Sequence, residues 1–509
     1  MQVRKRELLK GICIAALLGL LPQALAQASS DGPDLRKRFN VLFITVDDMD
    51  ASIPGFMGNK AGLTPNLDRL AGECHCFENN RTVAPICMPS REAFMSGLVP
   101  PRSGGLGFIP MNEGTPSLTS ILSDAGYYTA ASHKIDHMRP FSSFPWNGEE
   151  NGKDRHPMVH AAAFKVAAME ADAQQKPFFI QCNINDPHRP FYGSPEAQRI
   201  DHGETGPYRI PHPVTAADVE IPPNLDDLPA VREELAQYWN SAQRMDIAIG
   251  NILKALDESG HADDTVVIFC NDHGMPFPFS KATCYDHGSR EPVLIKWPGM
   301  GTPKRFPNRT TNVDIAPTLL DLLGVETKAR FDGRSWMPII REEATADPEF
   351  VVVYVDEVSN GMLYPTRSIQ DARYSLIFSA WANGKIELHI ESMGGLTFKA
   401  MVAAAQTDPK MATRVKQYIY GIPLALYDLQ EDPGQRHNII DRPEHARRVA
   451  RMKDALLKVM EDTNDPQLTN FRTLLAGGEP TVTEDPAHWR AISCAGIQCP
   501  SGPPRYLDH

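Results

Sequence analysis

A chain of 509 residues is long enough for one large α/β domain and a smaller one, and it shows no internal repeat at solenoid periods. Its formal charge of −12 makes it a poor candidate for nonspecific nucleic-acid binding, so no nucleic-acid partner is expected. An anionic ligand would need a local basic pocket working against the global field.

The chain opens with Arg4, Lys5, Arg6 and Lys10, then a short apolar stretch from Gly11 to Leu21, then Ala24-Leu25-Ala26. This is the pattern of a secretory signal peptide (residues 1–26) cleaved near Ala26, too short for a membrane span. Cys13 has a poor lipoprotein context, and no second long apolar run follows. The expectation is a secreted or periplasmic protein without a membrane span. The leader carries net +3, so its removal takes the charge from −12 to −15.

Four short apolar runs follow, each leading at once into chemically active residues. Asn40 to Val46 leads into Asp47-Asp48. Tyr127 to Ala131 leads into His133-Lys134-Ile135-Asp136-His137. Phe178 to Ile184 leads into Asn185-Asp186-Pro187-His188, and Thr265 to Cys270 into Asn271-Asp272-His273-Gly274. Helical patterns lie between them, including Leu67 to Glu73 and the long amphipathic Val231 to Ser259, which ends at Gly260. Strands alternating with helices predict an α/β fold with a large, mostly parallel sheet flanked by helices. Ligands bind beyond the carboxyl ends of such strands, so all four clusters can converge on one site.

A boundary is expected after Gly333 to Pro338, dividing a catalytic domain (38–345) from a smaller C-terminal α+β subdomain (346–470). In the latter, Phe350 to Tyr354 and Tyr374 to Ser379 read as strands, Leu426 to Asp428 starts a turn, and Pro443 to Glu461 is an amphipathic helix. Residues 471–509 read as a Pro/Gly-rich tail wrapping the surface. Of nine cysteines, Cys494 and Cys499 are expected to pair in an oxidising compartment. Cys74-His75-Cys76 lacks the second half of a zinc site and is expected in a packed loop.

Three carboxylates, Asp47, Asp48 and Asp272, at neighbouring strand ends would repel one another without a cation, and oxygen ligands suit Ca²⁺ or Mg²⁺. Arg91, Lys134, His137, His188 and Lys281 form a basic set suited to a tetrahedral anion. Cys87 precedes a helix-like run to Gly97. Pro89 there marks the expected first turn, whose N–H groups and dipole favour an anionic nucleophile or substrate.

The segment Cys87-Met88-Pro89-Ser90-Arg91, of the form C-x-P-S-R, resembles the signature of the type I sulfatases of the alkaline phosphatase superfamily. The resemblance covers roughly Asn40 to Pro466. It is strongest to the sulfamidase (heparan N-sulfatase) branch, through Asn185-Asp186-Pro187-His188-Arg189, Gly274-Met275-Pro276-Phe277-Pro278 and Tyr364-Pro365-Thr366-Arg367-Ser368. Three departures stand out. Asp272 is followed by His rather than Asn. Lys134 and His137 are three apart, as in the iduronate-2-sulfatase branch. Lys281 stands where the sulfamidase branch has arginine.

The resemblance implies that Cys87 is oxidised to formylglycine by a formylglycine-generating maturation enzyme. It also implies one Ca²⁺ ion held by Asp47, Asp48, Asp272, His273 and the modified residue 87. Arg91 would activate the nucleophile, while Lys134, His137, His188 and Lys281 would hold the sulfate. His188 would protonate the leaving group, and His137 is a candidate to accept the later proton. The implied substrate is a sulfated carbohydrate, with N-sulfoglucosamine of heparan type favoured. The alternatives are an O-sulfatase on another glycan, a phosphonate monoester or phosphodiester hydrolase, and an inactive glycan-binding homologue.

Overall fold

The computed structural model describes residues 39–197, 208–343 and 347–482. The expected signal peptide, Cys13 and the expected Cys494–Cys499 pair lie outside the described residues. Among the described residues no helix is long and apolar enough to cross a membrane.

Eight strands form the larger sheet: β1 (Asn40–Asp47), β2 (His75–Arg81), β3 (Tyr128–Ser132), β4 (Gly148–Glu150), β5 (Phe178–Pro187), β6 (Thr265–Asn271), β7 (Val293–Lys296) and β8 (Arg305–Thr311). Their order is β4-β3-β5-β1-β6-β7-β2-β8. Every neighbouring pair is parallel except at β7, which runs antiparallel to both β6 and β2.

β1 lies near the centre and every one of its residues is buried. Leu42, Ile44 and Val46 enter one core with the helices Val159–Ala173 and Pro229–Ser259, through Phe164, Leu235 and Ile249. Val41 and Phe43 enter a second core with the helices Cys87–Ser96 and Ile315–Leu323, through Phe94 and Leu319. Burial on both faces is why these strands are continuous apolar runs rather than alternating ones. In register, Val46 stands opposite Ile184 on β5 and Asn271 on β6, so the segments after these three strands emerge along one edge of the sheet.

The smaller sheet is antiparallel, in the order β12-β11-β10-β9, built from β9 (Val351–Glu357), β10 (Leu363–Gln370), β11 (Tyr374–Ser379) and β12 (Leu424–Asp428). One face packs on the helix Ala446–Asp462 through Val449, Met452, Leu456 and Met460. Residues of the other face, Val353, Val355 and Ile377, share a cluster with Ile86 and Phe279, which joins the two units. The helix Leu468–Leu475 buries Phe471 against Phe378, carrying this unit past residue 470.

Two local expectations are corrected. His75 and Cys76 open β2, paired with Ile295 and Leu294 of β7, rather than lying in a loop. Cys74 and Cys76 are buried thiols, burial pushing Cys76 up to about 12, and neither joins a metal-binding group among the described residues. Leu426 to Asp428 end strand β12, and the turn begins only after Asp428, whose carboxylate accepts the N–H groups of Gln430 and Glu431.

Candidate active site

Cys87 is the first residue of the helix Cys87–Ser96, and Ile86 in extended conformation (φ −146°, ψ 143°) is its N-cap. The helix therefore begins two residues before Pro89. Proline is tolerated at this third position because its missing N–H belongs to a first turn that has no internal partners. Gly97 ends the helix in the left-handed region at φ 68°, where a Cβ would come within 2.6 Å of Phe331.

One turn after Cys87, Arg91 is fully buried beneath the strand ends. Its Nη1 donates to Thr45 Oγ1 (3.0 Å) and Asn183 Oδ1 (2.8 Å). Its Nη2 donates to Asp272 Oδ2 (3.1 Å) and Asp47 Oδ1 (3.4 Å). Arg91 thus clamps the carboxylates from behind and does not line the cavity.

The turn after β1 is tightly specified. Asp48 takes a positive φ of 69°, uncommon for a side-chain-bearing residue. Its N–H donates to Asp272 Oδ1 (3.1 Å), its carbonyl accepts from Tyr238 (2.8 Å), and Met49 N–H donates to Asn271 Oδ1 (2.9 Å). Asp47 Oδ2 and Asp48 Oδ1 are buried without a directed hydrogen bond. These two oxygens instead face ammonium groups, Lys134 beside Asp47 Oδ2 and Lys281 at 2.9 Å from Asp48 Oδ1.

His273 Nδ1–H donates to the Gly274 carbonyl (3.0 Å), which leaves the Nε2 lone pair 3.3 Å from Cys87 Sγ and 3.4 Å from Asp48 Oδ1. Burial, aided by Lys281, holds this imidazole neutral, well below the usual histidine range. One ligand atom each from Asp47, Asp48, Cys87 and His273 lie within 4.8 Å of one another. Such spacing suits a cation at calcium–oxygen distances of about 2.3–2.6 Å. Asp272 touches the group, but its oxygens already accept from Asp48 N–H and Arg91.

Above these groups lies a cavity of about 300 Å³ whose wall includes Cys87, Lys134, His137, His188 and Lys281, together with Phe108 and Glu391. Burial and the neighbouring Lys134 keep His137 neutral, and its ring stands edge-on to Phe108 at 5.6 Å. His188 Nδ1–H donates to the Arg189 carbonyl (2.6 Å), so Nε2 is the free nitrogen, 3.8 Å from Asp48 Oδ2. The loop carrying it is locked by Asp186, which accepts from Arg155 (2.9 Å) and Arg244 (2.6 Å), while Arg155 also donates to the His188 carbonyl (2.7 Å). Lys281 reaches both Asp48 and Glu391 (2.8 Å), which hold its ammonium charged against burial.

All the residues expected from the sequence come together here, with Arg91 below the carboxylates rather than beside the cavity. Sequence reasoning missed Thr45, Asn183 and Glu391. Thr45 carries a signal, as the polar residue inside the apolar run Val41 to Val46, and Asn183 a weaker one, because its strand also holds Gln181 and Asn185. Glu391 carries none.

A family profile described as Sulfatase matches residues 39–325, and one described as N-sulphoglucosamine sulphohydrolase, C-terminal, matches residues 272–392. The N-sulphoglucosamine sulphohydrolase of Homo sapiens is 28% identical over 463 residues, covering 84% of this chain and 91% of that protein. A solved structure described as a complex with its substrate D-glucosamine-2-N,6-O-disulfate superposes with a TM-score of 0.61 at 18% identity, covering 84% of this chain and 99% of the other. The phosphonate monoester hydrolase of Silicibacter pomeroyi superposes with a TM-score of 0.60 at 19% identity, covering 85% and 97%.

Proposed function

The chain belongs to the sulfatase family, and we propose that it removes sulfate from sulfated glucosamine, N-sulfoglucosamine of heparan type first. The observation carrying this reading is Cys87 at the head of its helix, facing Asp47, Asp48 and His273, with Lys134 and Lys281 reaching in beside it. The likeness to the human N-sulphoglucosamine sulphohydrolase supports the choice of substrate.

As a cysteine, residue 87 is poorly suited to this chemistry. Burial and the nearby Asp47 push its thiol well above the usual range, so it stays protonated, and soft sulfur is a poor ligand for the hard cation that the carboxylate oxygens suit. When converted to formylglycine, position 87 supplies a hydrated aldehyde, one hydroxyl to attack sulfur and a second whose deprotonation expels sulfate. Asp47, Asp48, Asp272 and His273, with the oxygen at position 87, would hold one Ca²⁺, which supplies Lewis-acid charge for the nucleophile and the sulfate oxygens.

The remaining side chains bind and move protons. Lys134, Lys281 and His137 face the cavity with donors for sulfate oxygens. His188 keeps Nδ1–H on the Arg189 carbonyl, so a proton carried at Nε2 points to the departing nitrogen or oxygen. Neutral His137 is suited to take the proton released in the second step. Arg91 fixes the carboxylates from behind. The Arg/Lys-led apolar leader with its A-x-A site supports export to the periplasm or cell exterior, and position 87 depends on a formylglycine-generating enzyme of the host.

A substrate panel tests this reading. Sulfate release from N-sulfoglucosamine is expected. Release only from O-sulfated sugars would move the enzyme to the O-sulfatase branch, and turnover of phosphodiesters alone would favour phosphoryl chemistry. Binding without any turnover would make the protein a glycan-binding homologue.

A further inference from the structure

Glu391 puts a carboxylate into the wall of a cavity otherwise suited to an anion. It begins a short 3-10 turn, Glu391–Gly394, that reaches the site from the second unit. Its Oε2 pairs with Lys281 Nζ at 2.8 Å, whereas Oε1 stands 3.9 Å from His188 Nε2, beyond hydrogen-bond reach. The side chain is 28% exposed, and the space it faces is the cavity. Neutralising Lys281 does not account for it, because Lys281 already pairs with Asp48.

A sulfate group carries no hydrogen-bond donor, and two anions side by side repel. The substrate groups that a carboxylate can accept from are hydroxyls and amines of the sugar. We infer that Glu391 is the specificity residue of this site, accepting a hydrogen bond from the hydroxyl or amine next to the sulfated atom, beside His188. The inference rests on the sulfated-glucosamine reading given above.

Its position is built, not incidental. Glu234 is buried, accepts from Arg189 Nη1 (2.6 Å), the neighbour of His188, and from the N–H groups of Leu396 (3.0 Å) and Thr397 (2.7 Å), a few residues past Glu391. One carboxylate therefore ties the His188 loop to the segment that carries Glu391. The acceptor for the sugar and the proton donor for the leaving group keep a fixed relation. Lys281 pins Oε2, which aims Oε1 into the cavity. A site with an acceptor placed in advance discriminates against substrates that lack the matching donor.

The test compares kcat/KM of wild type and Glu391→Gln on N-sulfoglucosamine and on 4-nitrophenyl sulfate, which has no donor beside its sulfate. The ratio of the two values should fall by about 10–100-fold in the variant, the range for a hydrogen bond to a charged group. The loss should sit mainly in KM, and Glu391→Asp should restore part of it. Equal losses on both substrates would overturn the inference, because Glu391 would then act only through Lys281. A wild type that turns over no glucosamine sulfate would sink the functional reading and this inference with it. Wild-type turnover with an unchanged ratio in the variant would sink the inference alone.

Discussion

Asp48 holds a left-handed backbone that costs an ordinary residue on the order of 1–3 kcal/mol, and the bonds from Asp272, Asn271 and Tyr238 fix it there. The strain presents Asp47 and Asp48 side by side at the strand end, where their buried oxygens call for a cation. Asp48→Ala or Asp272→Ala should therefore lose bound Ca²⁺ and activity together. Metal analysis with full occupancy in both variants would contradict this. His188 is the proposed proton donor to the leaving group, with its Nε2 3.8 Å from Asp48 Oδ2. Because an amine needs a proton to depart more than an aryl oxide does, His188→Ala should cost N-sulfoglucosamine about 10²–10⁴-fold more than an activated aryl sulfate. Equal losses would make His188 a sulfate-binding residue instead. Asp47, Asp48, Lys134, His188 and Asp272 were legible because each follows directly on a buried apolar run. Glu391 was not, because a lone glutamate between Ile390 and Ser392 has the sequence of any solvated surface position.

Burial of an entire element has a measurable consequence in the helix Cys87–Ser96, whose every residue is buried. Burial pushes Glu92 from the ordinary 4.5 up to about 9, against the backbone N–H groups of Arg139 and Met111 that pull it down. The folded state thus binds this proton more tightly than the unfolded chain does. Stability from this group is fully present below about pH 4.5 and is lost progressively as pH rises toward 9. Glu92→Gln keeps the shape and removes the titration. Its melting temperature should exceed that of wild type at pH 8.5, with the gap closing by pH 5. A gap that does not depend on pH would contradict the assignment.

Among the elements, β1, β5 and β6 were legible as apolar runs because both their faces are covered. β2 was not, since His75-Cys76-Phe77-Glu78-Asn79-Asn80-Arg81 carries polar residues in most positions and depends on β7 and β8 for its pairing. β10 was hidden by Pro365, which lies at the register break between Leu363 and Thr366, where a strand tolerates proline.

At the scale of the molecule, the second unit supplies part of the cavity wall, and Glu234 ties its segment at Leu396 and Thr397 to the His188 loop. Glu234 is almost fully buried and holds Arg189, Leu396 and Thr397 at once. Glu234→Ala leaves a partly buried guanidinium and two N–H groups without their acceptor, which should cost about 3–5 kcal/mol in urea unfolding. A loss below about 1 kcal/mol would show that the tie is dispensable. The α/β order of the large sheet could be read from alternating strand and helix patterns. That the second unit supplies a wall of the cavity could not, because the contacts of Glu391 with His188 and Lys281 join segments far apart in the chain and leave no local pattern.

The central claim is that position 87 is the nucleophile for sulfate removal. Its most direct test is sulfate release from N-sulfoglucosamine by wild type and by Cys87→Ala. An alanine cannot become an aldehyde, and the small buried site should tolerate it, so the variant should fold as wild type does and release no sulfate. Sulfate release by the alanine variant at the wild-type rate would contradict the account.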